Sequence, residues 1–157
     1  VVKTEEEVKL NWENLKSKKT KKSILSGIPK KLPTILKAQR AQDKASSVGF
    51  DWNSISSVKS KLKEEIKELD KEIIGKNRDK IEDEFGDVLF TLINYSRFLK
   101  IDPELSLKKS TEKFIGRFKI LEEIIRNKKQ KISVLDKNEL EIIWKESKKI
   151  FQSNKMT

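Results

Sequence analysis

From residue 33 to residue 151 the apolar positions recur every three or four residues, and no run alternates apolar and polar at strand spacing. "GIPKKLP" breaks the chain at Gly27, Pro29 and Pro33. Pro33 suits the first turn of a helix running to about Ser46, whose Leu36, Ala38, Ala41 and Ala45 offer a small-residue face. "SSVGFDWNSISS" is a loop by composition, broken at Gly49, with serines to cap the next element. A second helix is predicted from about Ser57 to Ile74, with Val58, Leu62, Ile66, Leu69 and Ile73 in one stripe and Gly75 as its stop. A third is predicted from about Asp79 to Leu99. A fourth runs from Pro103 or Glu104 to Asn127, with Leu107, Phe114, Phe118, Leu121 and Ile125 inward. The last spans about Lys137 to Phe151, with Leu140, Ile143, Trp144 and Phe151 inward. The class is all-α, a helical bundle with a four-helix core. Residues 23–151 form the predicted domain and 152–157 a tail. Residues 1–22 read as a charged linker or N-terminal extension, with a short amphipathic helix from Glu5 to Leu15 and a solvated Lys run, "KSKKTKK".

The third helix carries apolar residues around most of its circumference. Ile81, Phe85, Val88, Leu92 and Leu99 make one face, and Leu89, Phe90, Ile93 and Phe98 extend it, which predicts a buried helix. At about 100° per residue, Glu84, Asp87, Thr91 and Asn94 fall on one polar stripe within it. Like charges one turn apart repel, and a carboxylate in apolar surroundings costs several kcal/mol without a compensating cation or donor. Lys80 is the only basic partner within reach on the same helix. On the second helix Glu65, Glu68 and Glu72 cluster beside the apolar stripe, and Glu64 lies further round. These have a plainer account as a solvated face paired with Lys61 and Lys71. Two helices that each offer two carboxylates a turn apart also make an oxygen-ligand site suited to Mg²⁺.

Composition narrows the chemistry. The 157 residues hold no Cys and no His, which excludes disulfides, thiolate or imidazole metal sites and a His general base. A metal here takes oxygen ligands, as Mg²⁺, Mn²⁺ and Ca²⁺ do. The net charge is +11, yet residues 64–87 hold ten acids and five bases, a local −5 that leaves +16 elsewhere. An acidic patch in a basic protein suits metal ions with an anionic ligand drawn in around them. No apolar run approaches a membrane span, no signal peptide is visible, and a cytoplasmic location without a membrane partner is expected. The first residues are Val1-Val2 rather than Met, as in the C-terminal part of a longer protein.

As a pattern the acids are E-E-x-x-E (Glu64, Glu65, Glu68), fifteen residues, then E-x-x-D (Glu84, Asp87). This resembles the signature of the MazG family of all-α nucleoside triphosphate pyrophosphatases. "LPTILKAQRAQDKASSVGFDW", "DEFGDVLFTLINYSRFL", "STEKFIGRF" and "IIWKESKK" are similar to successive parts of its catalytic domain, in particular the C-terminal half of two-domain members. The likeness covers about residues 24–151 and implies Mg²⁺-dependent hydrolysis of nucleoside triphosphates to monophosphate and pyrophosphate, with Mn²⁺ as an alternate ion. By the same likeness Glu65, Glu68, Glu84 and Asp87 would hold the metal, and Glu64 or Glu65 would take the proton of the attacking water. Asn94, Lys113, Arg117, Trp144 and Lys148 would contact the nucleotide. The resemblance further implies broad base tolerance, a housekeeping role and a homodimer. A relative with a narrower substrate (dUTP, dCTP or phosphoribosyl-ATP) is the alternative enzyme. A non-catalytic basic helical module is the alternative from another class, with nucleic acid the less expected partner.

Overall fold

The computed structural model describes residues 23–154, and the readings made for residues 1–22 lie outside the described residues. Among the described residues the structure is all-α: α1 (Thr34–Ser46), α2 (Ile55–Gly75), α3 (Arg78–Phe98), α4 (Pro103–Asn127) and α5 (Lys137–Ser153), with one 3-10 turn, Ile132–Val134. They fall into two compact units, residues 23–104 and residues 105–154.

In the first unit α2 and α3 pair as a helical hairpin, and α1 packs on α3. Local chemistry sets the ends. Ser54 caps α2, its hydroxyl accepting from Ser57 N at 3.2 Å, so the helix begins earlier than the apolar stripe alone predicted. At the other end the left-handed residue is Lys76 (φ 55°), not Gly75, which remains helical. Asn77 then caps α3 by accepting from Lys80 N at 3.3 Å. Only Lys76 and Asn77 separate the two helices, so they must run antiparallel, and late α2 faces early α3. Glu72 and Lys80 meet across the hairpin at 3.9 Å. After α1, the chain turns at Gly49 with φ 87°, a conformation that favours glycine.

The expectation of a buried third helix is corrected in its sidedness. Phe85 is 53% exposed, and Leu89, Phe90 and Leu92 are nearly as open, whereas Thr91 and Ser96 are buried. The polar stripe faces α1 and α2, and much of the apolar surface is uncovered by the described chain. The same holds for Ile66 and Ile73 on α2, while Val58 is fully buried as predicted.

In the second unit Leu121 and Ile125 of α4 meet Ile143 of α5, flanked by Ile124, Leu135, Leu140 and Trp144. A capping box starts α5: Glu139 N donates to Asp136 Oδ1 at 2.8 Å, and Asp136 N donates to Glu139 Oε2 at 2.9 Å. Of the positions expected inward on α4, Leu107, Phe114 and, at its margin, Phe118 are exposed, and Leu121 and Ile125 are buried.

Candidate functional site

The hairpin brings acids from two helices together. Glu65 of α2 and Glu84 and Asp87 of α3 each place a carboxylate oxygen within 4.8 Å of the others. Glu65 is only 6% exposed, Glu84 is half-buried and Asp87 is open. Partial desolvation raises the Glu84 carboxyl above its ordinary range, and the charges of Glu68, Asp87, Glu65 and Glu72 push the same way. Glu68 therefore stands close enough to join the cluster's field, though its oxygens are not within the closest set. Uncompensated, four acids repel. A divalent cation coordinated by their oxygens would reverse that sign, and hard carboxylate donors are the ligands Mg²⁺ and Mn²⁺ accept.

Lys61 supplies the nearest positive charge. Its Nζ lies 2.6 Å from Glu64 and 2.9 Å from Glu65, and these two contacts hold its pKa well above the usual lysine range. Glu64 and Glu65 thus share one ammonium, with Glu64 at the solvent side and Glu65 at the buried side. The pairing foreseen as an ordinary helix-surface contact sits at the edge of the carboxylate cluster.

Beside the cluster opens a cavity of about 630 Å³. Glu65, Asp87 and Lys61 line part of it, and Phe50, Trp52 and Phe90 contribute aromatic walls. Thr91 and Asn94, the continuation of the acidic stripe, also line it. Asn94 Oδ1 accepts from Arg97 Nη2 at 3.1 Å and from Nε at 3.3 Å. The same Nη2 donates to Asp51 Oδ1, which also accepts the Trp52 N–H at 2.8 Å. Burial opposes ionisation of Asp51, but the Arg97 guanidinium, the Trp52 N–H and Ser46 outweigh it and hold the carboxyl below its ordinary range. Gln42 of α1 completes the lining; it is buried, and its Nε2 donates to Phe90 O at 2.8 Å.

Gln42, Asp51 and Arg97 escape a reading of the sequence alone. Gln42 lies four residues after Ala38 on the small-residue face, and a polar side chain interrupting that face was the available signal. Asp51 and Arg97 are 46 residues apart and had none.

Lys113, Arg117, Trp144 and Lys148 all belong to the second unit. Arg117 lies with its guanidinium 5.7 Å from the Phe151 ring centre, and its Nε is buried without a hydrogen-bond partner. Trp144 packs on the unit's apolar core, its ring 5.5 Å from Phe114. Lys113 is exposed; Lys148 is half-buried and, with Lys145 foremost, lowers the Glu141 pKa.

Comparison with known proteins bears on this arrangement. Residues 53–131 match the family model of the MazG nucleotide pyrophosphohydrolase domain. The chain is 40% identical over 140 residues to the nucleoside triphosphate pyrophosphohydrolase/pyrophosphatase MazG of Thermotoga maritima, covering 87% of this chain and 54% of that protein. It is 35% identical over 149 residues to the nucleoside triphosphate pyrophosphohydrolase of Escherichia coli K12, covering 91% and 57%. The uncharacterized protein YabN of Bacillus subtilis is 36% identical over 151 residues, covering 94% and 31%. The chain spans about half the length of the first two relatives. Among the described residues no helix is long and apolar enough to cross a membrane.

Proposed function

The chain belongs to the MazG nucleotide pyrophosphohydrolase family, and on that premise we propose that it hydrolyses nucleoside triphosphates, ribo- and deoxyribo-, to the monophosphate and pyrophosphate. The observation that carries this is the meeting of Glu65, Glu84 and Asp87 within 4.8 Å at one side of the aromatic-walled cavity. Glu65, Glu84 and Asp87, with Glu68 alongside, would hold Mg²⁺. When bound, the ion supplies positive charge against the phosphate oxygens and lowers the pKa of a water.

The residues divide the remaining work. The cluster sets the α-phosphate at the cavity edge, and the apolar neighbours on α3 keep the carboxylates in register. Lys61 adds a donor aimed along the same edge and suits a phosphate oxygen. Glu64 is the more exposed partner of Lys61, and with Glu65 it is a candidate to accept the proton of the attacking water. Phe50 and Trp52 offer faces on which a base stacks, and stacking tolerates any base, in keeping with broad specificity. Arg117, Lys113, Trp144 and Lys148 are proposed as further nucleotide contacts. A second copy of the chain is proposed to cover the apolar surface of α2 and α3.

The test is product identification with a panel of NTPs and dNTPs plus Mg²⁺. Monophosphate with pyrophosphate is expected; diphosphate with orthophosphate, or no turnover, overturns the reading. Asp87→Asn is expected to lower kcat by about a thousandfold or more while the protein still melts cooperatively. Turnover surviving that substitution removes Asp87 from the metal set.

A further inference from the structure

The buried amide of Gln42 has a fixed orientation. Its Nε2 lies 2.8 Å from Phe90 O, and a carbonyl only accepts. Reversing the amide would set two acceptors against each other, so Nε2 is the end that faces α3. Oε1 must then point to the other side, where it is buried with no hydrogen-bond partner. Buried acceptors without donors are rare in folded proteins. This one belongs to a side chain only 6% exposed that lines the cavity beside the carboxylates. Gln42 thus lines the cavity while its amide keeps a buried acceptor that no donor among the described residues meets.

The surroundings narrow what that donor is. Phosphate oxygens carry no N–H, and the acidic end of the cavity is suited to their metal-bound form. Near Gln42 the walls are Ala41, Ala45 and the Phe90 ring, small or flat surfaces that leave room for a planar ring. One helical turn beyond Phe90 stands Asn94, whose Oδ1 is taken by Arg97. Its amide is thereby set with Nδ2 as the end free of that grip. Two amides that line the cavity are thus oriented by neighbours in its wall, Gln42 by Phe90 O and Asn94 by Arg97. A nucleobase presents an N–H beside an acceptor along its pairing edge, which is the match for such a pair.

We propose that Gln42 is a specificity-determining residue, its Oε1 accepting a hydrogen bond from an N–H on the pairing edge of the substrate's base; this rests on the nucleotide reading above. Each base carries such an N–H, so Gln42 admits several bases and rejects rings that lack it.

The experiment compares matched nucleotides: ATP with purine riboside triphosphate, CTP with 2-pyrimidinone riboside triphosphate, and UTP with N3-methyl-UTP. For each pair kcat/KM is measured with the wild type and with Gln42→Met, a change of similar volume. Kd for the corresponding monophosphates is measured by calorimetry, which needs no turnover. The wild type is expected to lose roughly tenfold or more on removal of the donor in at least one pair. In Gln42→Met the two members of that pair converge to within about twofold, through weaker use of the natural base. A wild type that treats all pairs alike in both measurements overturns the proposal, and so does a variant that keeps the wild-type ratio. If the variant fails to fold, the wild-type pairs decide alone. 2′-Deoxy- and 3′-deoxy-ATP complete the panel: a loss confined to these and erased by Gln42→Met moves the bond to the sugar and also overturns it. Absence of turnover with every triphosphate, alongside discrimination among monophosphates, rejects the hydrolase reading and keeps the base contact.

Discussion

Asp51 joins the loop after α1 to Arg97, and through Arg97 to Asn94. Its carboxyl is held below its ordinary value of 3.8. A depressed acid contributes stability that is fully present above the unfolded pKa and is lost as pH falls through the folded one. Asp51→Asn is therefore expected to destabilise the protein by about 1 kcal/mol near neutral pH, a modest figure because both partners are partly exposed. The difference from wild type should close as pH drops below 3.8. Urea unfolding of both proteins across pH checks this; a difference that stays constant into acid would mean the ion pair contributes nothing. The carboxylates of the cluster were legible as residues because acids interrupted an apolar helix. The loop tie was not, because a single Asp and a single Arg distant in sequence leave no periodic trace.

Helix limits followed the sequence closely, since Pro, Gly and cap residues act locally. What each helix face touches did not follow as well. The wheel divided α3 correctly into an acidic stripe and an apolar remainder, but apolar character alone does not say what covers it. In the second unit the same logic favours a specific test. Gly116 sits inside α4, where alanine would ordinarily stabilise by about 1 kcal/mol. Here a Cβ would run into the Phe151 ring at Cε2 and lie 3.2 Å from Cδ2. Gly116→Ala is expected to destabilise by about 1–3 kcal/mol, and Phe151→Leu in the same chain to recover part of that loss. Chemical denaturation measures both, and a stabilised Gly116→Ala would refute the close approach of α4 and α5.

At the scale of the molecule, the apolar surface of α2 and α3 is the feature that the described residues leave open. Ile74 is 82% exposed, and Phe85, Leu89 and Leu92 are each near half. A contiguous surface of this kind usually marks an interface. Light scattering is expected to give twice the mass of the chain. Leu89→Glu, which places a charge on that surface without touching the described core, should shift the protein toward monomer; a monomeric wild type would exclude the second copy.

The two-residue joint between α2 and α3 has a kinetic consequence. Glu65, Glu84 and Asp87 span 23 residues of chain, counted inclusively, and a single hairpin closure brings them into register. Loop-closure entropy for so short a separation is small, and contacts of low sequence separation form early. The acidic cluster is then in place while the loop carrying Phe50 and Trp52 is still searching for its seat. With the proposed Mg²⁺ site, ion capture would precede completion of the cavity, so divalent cations should speed the first folding phase rather than the last.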